Sequence, residues 1–164
     1  IIPIYNESAT FLKLIKKILN VKTNKFKFQI IIVESNSNDG TREQVKSLKK
    51  NKFDIIFQPK ALGKGSAVIQ GLKKAKGEII LIQDGDLEYD PNDYELMIKP
   101  ILEKKTKFVL GARIKKGVFK MRNFKNNIIK SFIFNSLHIV LTILFNLLYN
   151  QKLKDPWTCY KVFN

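Results

Sequence analysis

The amino-acid sequence predicts an α/β fold with a mostly parallel central sheet, flanking helices and C-terminal amphipathic helices. Three observations carry that prediction. Apolar runs alternate with stretches of helical periodicity as far as "KFVLGA" (107–112), the pattern of strands joined by right-handed helical crossovers. Several runs are near-continuous rather than alternating, as in strands buried on both faces. Three strand ends carry the polar stretches "YNE", "ESNSNDG" and "DGDLE", so the unusual chemistry gathers at one sheet edge, where such sheets bind ligands.

The elements follow in order. Ile1–Ile4 reads as a strand. After Ser8, a candidate N-cap, Phe11, Leu12, Leu14, Ile15, Ile18 and Leu19 keep helical spacing. "FQIIIVE" (28–34) is a buried strand, "NSNDGT" (36–41) a loop, and a short helix lies near 41–50. Strand "FDIIFQ" (53–58) leads to the glycine loop and helix "ALGKGSAVIQGLKKAKG" (61–77). Strand "EIILIQD" (78–84), a helix over 91–104 and strand 107–112 complete the series.

The 164 residues suffice for one domain, 1–164, with a substantial core. The chain opens on "IIPIYNES", already inside a strand, and stops at "TCYKVFN", which reads as a fragment of something longer. Cys159 is the single cysteine, so no internal disulfide forms. Thirty basic residues against fourteen acidic give a net charge of +16. That charge fits an anionic partner, or equally a Lys-, Asn- and Ile-rich composition of the AT-rich-genome kind.

Six of the fourteen carboxylates fall between Asp84 and Glu95. In an extended strand Asp84 and Asp86 point to one side, and Glu88 joins them if the extension persists. Like charges this close call for a cation, and Mg²⁺ or Mn²⁺ suits hard oxygen ligands. Such an ion takes one or two carboxylates and completes its shell with water and phosphate oxygens, so Asp-Gly-Asp suits a nucleotide diphosphate, with Gly85 leaving room for close approach. Asp90, Asp93 and Glu95 are read instead as charge at the start of the helix near Pro91.

"GKGSAVIQG" (63–71) is neither a Walker A loop nor a dinucleotide fingerprint. Its N–H groups, with Gly63 and Lys64, meet an anion at a helix start, or simply make a tight turn. Arg113 follows the last strand of the series at the same edge as the Asp pair. In "SFIFNSLHIVLTILFNLLYN" (131–150), Asn135, His138, Thr142, Asn146 and Tyr149 form one polar stripe on an otherwise apolar helix. Basic residues before it and that stripe suit an interfacial helix or a core helix buried except for the stripe, rather than a membrane span.

With these residues in view, the chain resembles the inverting family-two glycosyltransferases of the A-type fold, a Rossmann-like nucleotide-sugar transferase fold. Within them it is most similar to the dolichyl- and polyprenyl-phosphate sugar synthases. "IPIYNE", "VESNSNDGT", "GKGSAVIQGLKKAKGEIILIQDGDLEYDP", "LGAR" and "DPWTCYKVF" (155–163) match that family's motifs in order. The resemblance implies that Pro3, Tyr5, Asn6 and Glu7 contact the base and ribose, with Glu34 and Ser35 near the base. Asp84 and Asp86 would hold the metal and diphosphate, with Glu88 at a further ligand position. Asp86 and Arg113 would carry the catalysis, and Arg113 and Arg122 the acceptor phosphate. Helices over 124–150 would lie on a membrane surface. Ser35 stands where the family has an acid, Glu88 where it often has Gln, and Cys159-Tyr160-Lys161 where Gly-Phe-Arg is commoner, which leaves a basic contact there to Lys161.

The expected function is metal-dependent, inverting transfer of a sugar from a nucleotide-diphosphate donor to a polyprenyl or dolichyl phosphate. The expected place is the cytoplasmic face of a membrane, in cell-envelope glycan synthesis. The alternatives are a transferase acting on a saccharide or protein hydroxyl, and a non-catalytic module binding nucleic acid or a membrane surface. The last ranks lowest, since no nucleic-acid motif is present and nucleic acid is not an expected partner.

Overall fold

The computed structural model describes residues 1–112 and 128–164. They fall into two compact units, Ile1–Val109 with Cys159–Asn164, and Leu110–Thr158. Arg113 and Arg122 lie outside the described residues, as does the first part of the segment expected as membrane-surface helices.

In the first unit, β1 (Ile2–Ile4), β2 (Ile31–Glu34) and β3 (Asp54–Phe57) form a parallel group in the order β1-β2-β3. β4 (Ile80–Ile82) runs alongside β1: the Ile1 nitrogen donates to Leu81 O at 2.7 Å, and Gln83 N–H donates to Ile1 O at 3.0 Å. Odd-numbered residues of β1 therefore face β4, and Pro3 brings no N–H to the next rung. The ladder stops there, and the chain after Gln83 is free to turn into the bends that hold Asp84 to Glu88.

β5 (Phe108–Leu110) and β6 (Lys161–Phe163) complete the order β4-β6-β5. β6 pairs antiparallel with β4, Ile80 opposite Phe163 and Ile82 opposite Lys161. The sequence expectation placed no strand there, and β6 is the correction to an otherwise parallel series.

The helices are α1 (Phe11–Leu19), α2 (Thr41–Lys46), α3 (Gly63–Lys74) and α4 (Tyr94–Leu102), the last preceded by a 3₁₀ turn at Pro91–Asp93. α1 is capped at Thr10 rather than Ser8, and no side chain closes the cap. Asp90 accepts from Asn92 N–H at 3.1 Å ahead of Pro91, the helix-start role expected of it. The core joins Phe11, Leu14, Ile15 and Ile18 of α1 to Ile2, Ile4 and Ile32 of the sheet and to Tyr94, Met97, Ile98 and Ile101 of α4. Of the six apolar residues that helical spacing grouped in α1, these four are buried, whereas Leu12 and Leu19 are exposed.

α3 packs on the other side, around Ile31, Val33 and Ala67. Gly71 is the point of closest approach: a Cβ there would lie 2.5 Å from Cγ2 of Ile1. Overpacking costs roughly 1–3 kcal/mol, while alanine's helix propensity returns under ~1 kcal/mol. Gly71→Ala is therefore expected to lower stability by about 1 kcal/mol. A melting temperature that is unchanged or raised would show that Ile1 simply moves aside.

The second unit is built on α5 (Ile128–Leu148) and the segment after it. The Asn146 amide clasps Leu153, donating to its carbonyl at 2.8 Å and accepting from its N–H at 3.0 Å. His138 Nε2 lies 3.8 Å from an oxygen of buried Asp155, and Phe145 meets Trp157 edge to face. Four of the five stripe residues thus face inward, while Tyr149, just past the helix end, is exposed. Asn135, His138, Thr142 and Asn146 are half-buried, while Phe132 (71%), Leu147 (74%) and Leu148 (78%) are exposed. Both sequence expectations for this helix had the stripe facing water, and the structure reverses that orientation. Among the described residues no helix is long and apolar enough to cross a membrane.

Candidate active site

Four loops meet at the carboxyl ends of β1, β2, β3 and β4, the β3 end joining the three polar strand ends expected from the sequence. The β1 loop is tied to the β2 loop at every residue from Asn6 to Ser8. Asn6 N–H donates to Ser37 Oγ (3.0 Å), Glu7 N–H to Thr41 Oγ1 (2.8 Å) and Ser8 N–H to Asp39 Oδ2 (2.9 Å). Asn38 N–H returns a bond to Asn6 Oδ1 at 3.0 Å. Asn6 (φ 55°) and Asn36 (φ 60°) supply the left-handed residues that both turns need, a conformation asparagine tolerates better than most.

Asp39 organises this clasp. Desolvation raises its pKa, but hydrogen bonds from the Thr41 hydroxyl and from the Ser8 and Thr41 backbone outweigh it and hold the carboxyl well below the usual range. A depressed carboxylate stabilises the fold above the unfolded value of about 4 and loses that contribution as pH falls.

Glu34 ends β2 with 0% of its surface exposed. One oxygen accepts from Ser37 N–H at 2.6 Å and the other pairs with the Arg42 guanidinium. Arg42 also donates to Gln58 O at 3.3 Å and lies 5.0 Å over the Phe57 ring. Both carboxylate oxygens are thus spent inside the protein. Glu34 acts beneath the loop, holding Ser35 to Ser37 in place. Pro3 is likewise buried in β1, opposite Val33, whereas Tyr5 and Asn6 are exposed at the edge.

The glycine loop arrives from α3. Gly63, at φ 80°, starts the helix, and Lys64 reaches across to pair with Asp84 Oδ1. Desolvation pulls the Lys64 ammonium down, but its bond to Asp84 and a further interaction with Cys159 raise it above its ordinary value. Cys159 lies two residues before β6, whose Lys161 pairs with Ile82 at the end of β4. Gln58, fully buried at the end of β3, donates from Nε2 to Ser66 Oγ (3.2 Å) and keeps an unpartnered Oε1.

The carboxylates after β4 do not continue the strand. Residues 85–89 bend, and Asp86 Oδ1 accepts from Glu88 N–H at 3.0 Å. The alternation that would have aligned Glu88 with the pair is therefore broken, and Glu88 is exposed. Among the described residues no three of His, Cys, Asp and Glu gather in metal-holding geometry. The donor set fits a hard divalent ion through the Asp84–Asp86 pair, which leaves the remaining positions to water and phosphate. Gly85 also packs closely on the β1 loop. A Cβ there would lie 3.0 Å from Glu7 Cγ, so the missing side chain makes room for Glu7. The Glu7 carboxylate then accepts from Thr10 Oγ1 (2.8 Å).

Sequence reasoning thus placed Tyr5, Asn6, Glu7, Ser35, Lys64, Asp84, Gly85 and Asp86 in loops that do meet. It missed Arg42, Gln58 and the Ser37–Asp39–Thr41 clasp. The available signal was "SNDGT" itself, in which an aspartate two residues before a threonine at a helix start is a capping pattern.

The chain is similar to known proteins in sequence and in fold. Residues 1–164 match the family described as Glycosyl transferase family 2. A dolichol-phosphate mannosyltransferase of Pyrococcus furiosus is 32% identical over 118 residues, covering 71% of this chain and 33% of the relative. A UDP-N-acetylglucosamine–dolichyl-phosphate N-acetylglucosaminyltransferase of Methanococcus voltae is 34% identical over 143 residues, covering 77% of this chain and 54% of the relative. The chain spans about a third to a half of the length of these curated relatives. Among solved structures, S. aureus TarS 1–349 in complex with UDP superposes with a TM-score of 0.57 at 21% identity, covering 73% of this chain and 38% of that one. That likeness is one of fold, and the fold is the A-type glycosyltransferase fold. Since the family match takes in every loop described above, from the β1 turn to the start of β6, the chain belongs to glycosyl transferase family 2.

Proposed function

We propose that this chain is the donor-binding catalytic part of a metal-dependent, inverting glycosyltransferase that moves a sugar from a nucleotide diphosphate to a polyprenyl or dolichyl phosphate. The observation that carries the reading is the meeting of the Asp84-Gly85-Asp86 turn, the Lys64 ammonium and the clasped β1 and β2 loops at one sheet edge. The β1 and β2 loops, with exposed Tyr5 and Asn6 and buried Ser35, suit a base and ribose. Lys64 and the Asp pair suit a diphosphate with its cation, Mg²⁺ or Mn²⁺. A bound divalent ion would neutralise charge growing on the departing diphosphate.

In the reaction an oxygen of the acceptor phosphate attacks the anomeric carbon from the face opposite the nucleotide. The bond to the acceptor forms as the bond to the diphosphate breaks, which inverts the centre. A phosphate acceptor is already ionised, so this chemistry requires no strong general base. Arg113 and Arg122, outside the described residues, are the proposed acceptor-phosphate contacts. Lys64, paired with Asp84, is the proposed basic contact for the donor.

The names of the relatives favour a lipid-phosphate acceptor over a saccharide or protein hydroxyl. The outward apolar face of α5 fits the same reading: Phe132, Ile133, Leu137, Val140, Leu144 and Leu147 are all exposed. A face of that kind beside a basic segment suits a peripheral position on an anionic, cytoplasmic membrane surface. The deciding assay incubates the full-length protein with labelled GDP-mannose or UDP-glucose, polyprenyl phosphate and Mn²⁺. Label in the lipid extract is the expected result. Its absence with every common donor, or label only in a saccharide acceptor, would overturn the proposal.

A further inference from the structure

We propose that Lys64 is a built-in counter-ion for Asp84, holding the carboxylate until a divalent ion arrives and then passing to the donor's diphosphate. The inference rests on the reading of the Asp pair just given and adds a coupling between metal and nucleotide. It starts from the fact that the ammonium sits on the first carboxylate of the pair. Lys64 is fixed at its base by the first turn of α3, with Gly63 in the left-handed region before it. Asp84 lies two residues past β4, next to Gln83, whose N–H is bonded to Ile1 O. The contact is therefore a product of the fold's rigid parts rather than of two wandering surface chains.

Two positive charges competing for one carboxylate repel each other, and little water separates them where Asp84 has 18% of its side chain exposed. Metal binding must then either displace the ammonium or be weakened by it. Lysine suits displacement, being a compact charge on a four-carbon stem with three rotatable donors. The half-exposed Lys64 chain has room to move. The anion it next meets is the diphosphate that the metal itself binds, close to the α3 N-terminus. Each ligand thus removes the obstacle to the other: metal frees Lys64 for phosphate, and phosphate draws Lys64 off Asp84. Linkage makes the effect equal in both directions. Asp86 is spared this competition, since its oxygen is engaged by a neutral backbone N–H from Glu88.

Direct titration tests this without reference to turnover. Mn²⁺ binding to the full chain is followed by the spin-resonance signal of the free ion, with and without UDP or GDP. Lys64→Met keeps the stem and removes the charge. It is expected to bind Mn²⁺ alone about tenfold more tightly than wild type, and to bind nucleotide in the presence of Mn²⁺ about tenfold more weakly. Lys64→Arg, which keeps a charge at the position, is expected to leave Mn²⁺ binding weak. A Lys64→Met protein that binds Mn²⁺ no better than wild type would overturn the inference while leaving the metal site standing. Mn²⁺ binding that persists unchanged in Asp86→Asn, in either background, would overturn the reading of the Asp pair itself.

Discussion

Asp86→Asn is expected, on the metal-dependent mechanism proposed above, to lower sugar transfer roughly a thousandfold, the rate equivalent of the several kcal/mol that a bound ion would supply at a departing diphosphate. Asparagine is the informative replacement. Its side-chain oxygen still accepts from Glu88 N–H, so the turn after β4 survives and the negative charge alone is lost. Stability should then stay within about 0.5 kcal/mol of wild type, as for a change outside the core that keeps its hydrogen bond. Initial rates at saturating donor, measured beside a urea melt, separate the two effects. Turnover within a few-fold of wild type would remove Asp86 from the chemistry.

The second large effect belongs to a residue far less conspicuous in the sequence. Arg42→Ala strips the partner from a Glu34 carboxylate with no exposed surface and leaves it only the Ser37 N–H. Orphaning a buried charge costs about 3 kcal/mol or more, a large share of the stability of a domain this size. The urea midpoint should fall accordingly. Glu34→Gln in the Arg42→Ala background should recover part of the loss, because a neutral amide tolerates the site better. A loss under about 1 kcal/mol would mean that water reaches Glu34 and that the pair is not a structural anchor. Nucleotide affinity should fall with stability, since the same carboxylate holds the Ser35–Ser37 turn.

These two residues mark where the sequence was legible. The parallel strands were readable because "IIIVE" and "IIPI" admit little but burial on both faces, and their polar ends then fall at one edge by topology alone. Asp86 stands out as a charge directly behind an apolar run. Arg42 looks like any arginine in the first turn of a short helix, and its partner lies eight residues back on another element. Glu88 was misplaced because alternation is valid only while the backbone stays extended, and it bends from Gly85 onward. β6 was missed because "KVF" is three residues long with a charge in it. Its strand character comes from β4 and β5 on either side rather than from local preference. In α5 the periodicity correctly grouped Asn135, His138, Thr142 and Asn146. Periodicity says which residues share a face and not which way the face is turned. The turn was set by Leu153 and Asp155, which claim the stripe for themselves.

The placement of β6 between β4 and β5 also sets an order on the ribosome. Both flanking strands are synthesised well before Lys161–Phe163, with residues 111–160 still to be made after the second of them. At roughly 5–20 residues per second, several seconds pass in which two bare strand edges face each other without the ribbon that joins them. During that interval Cys159 is absent from beside Lys64, and the nascent sheet has two open borders of the kind that recruit stray strands. A nascent chain stalled before residue 159 should therefore lean on a chaperone more than one stalled with Lys161–Phe163 already clear of the tunnel.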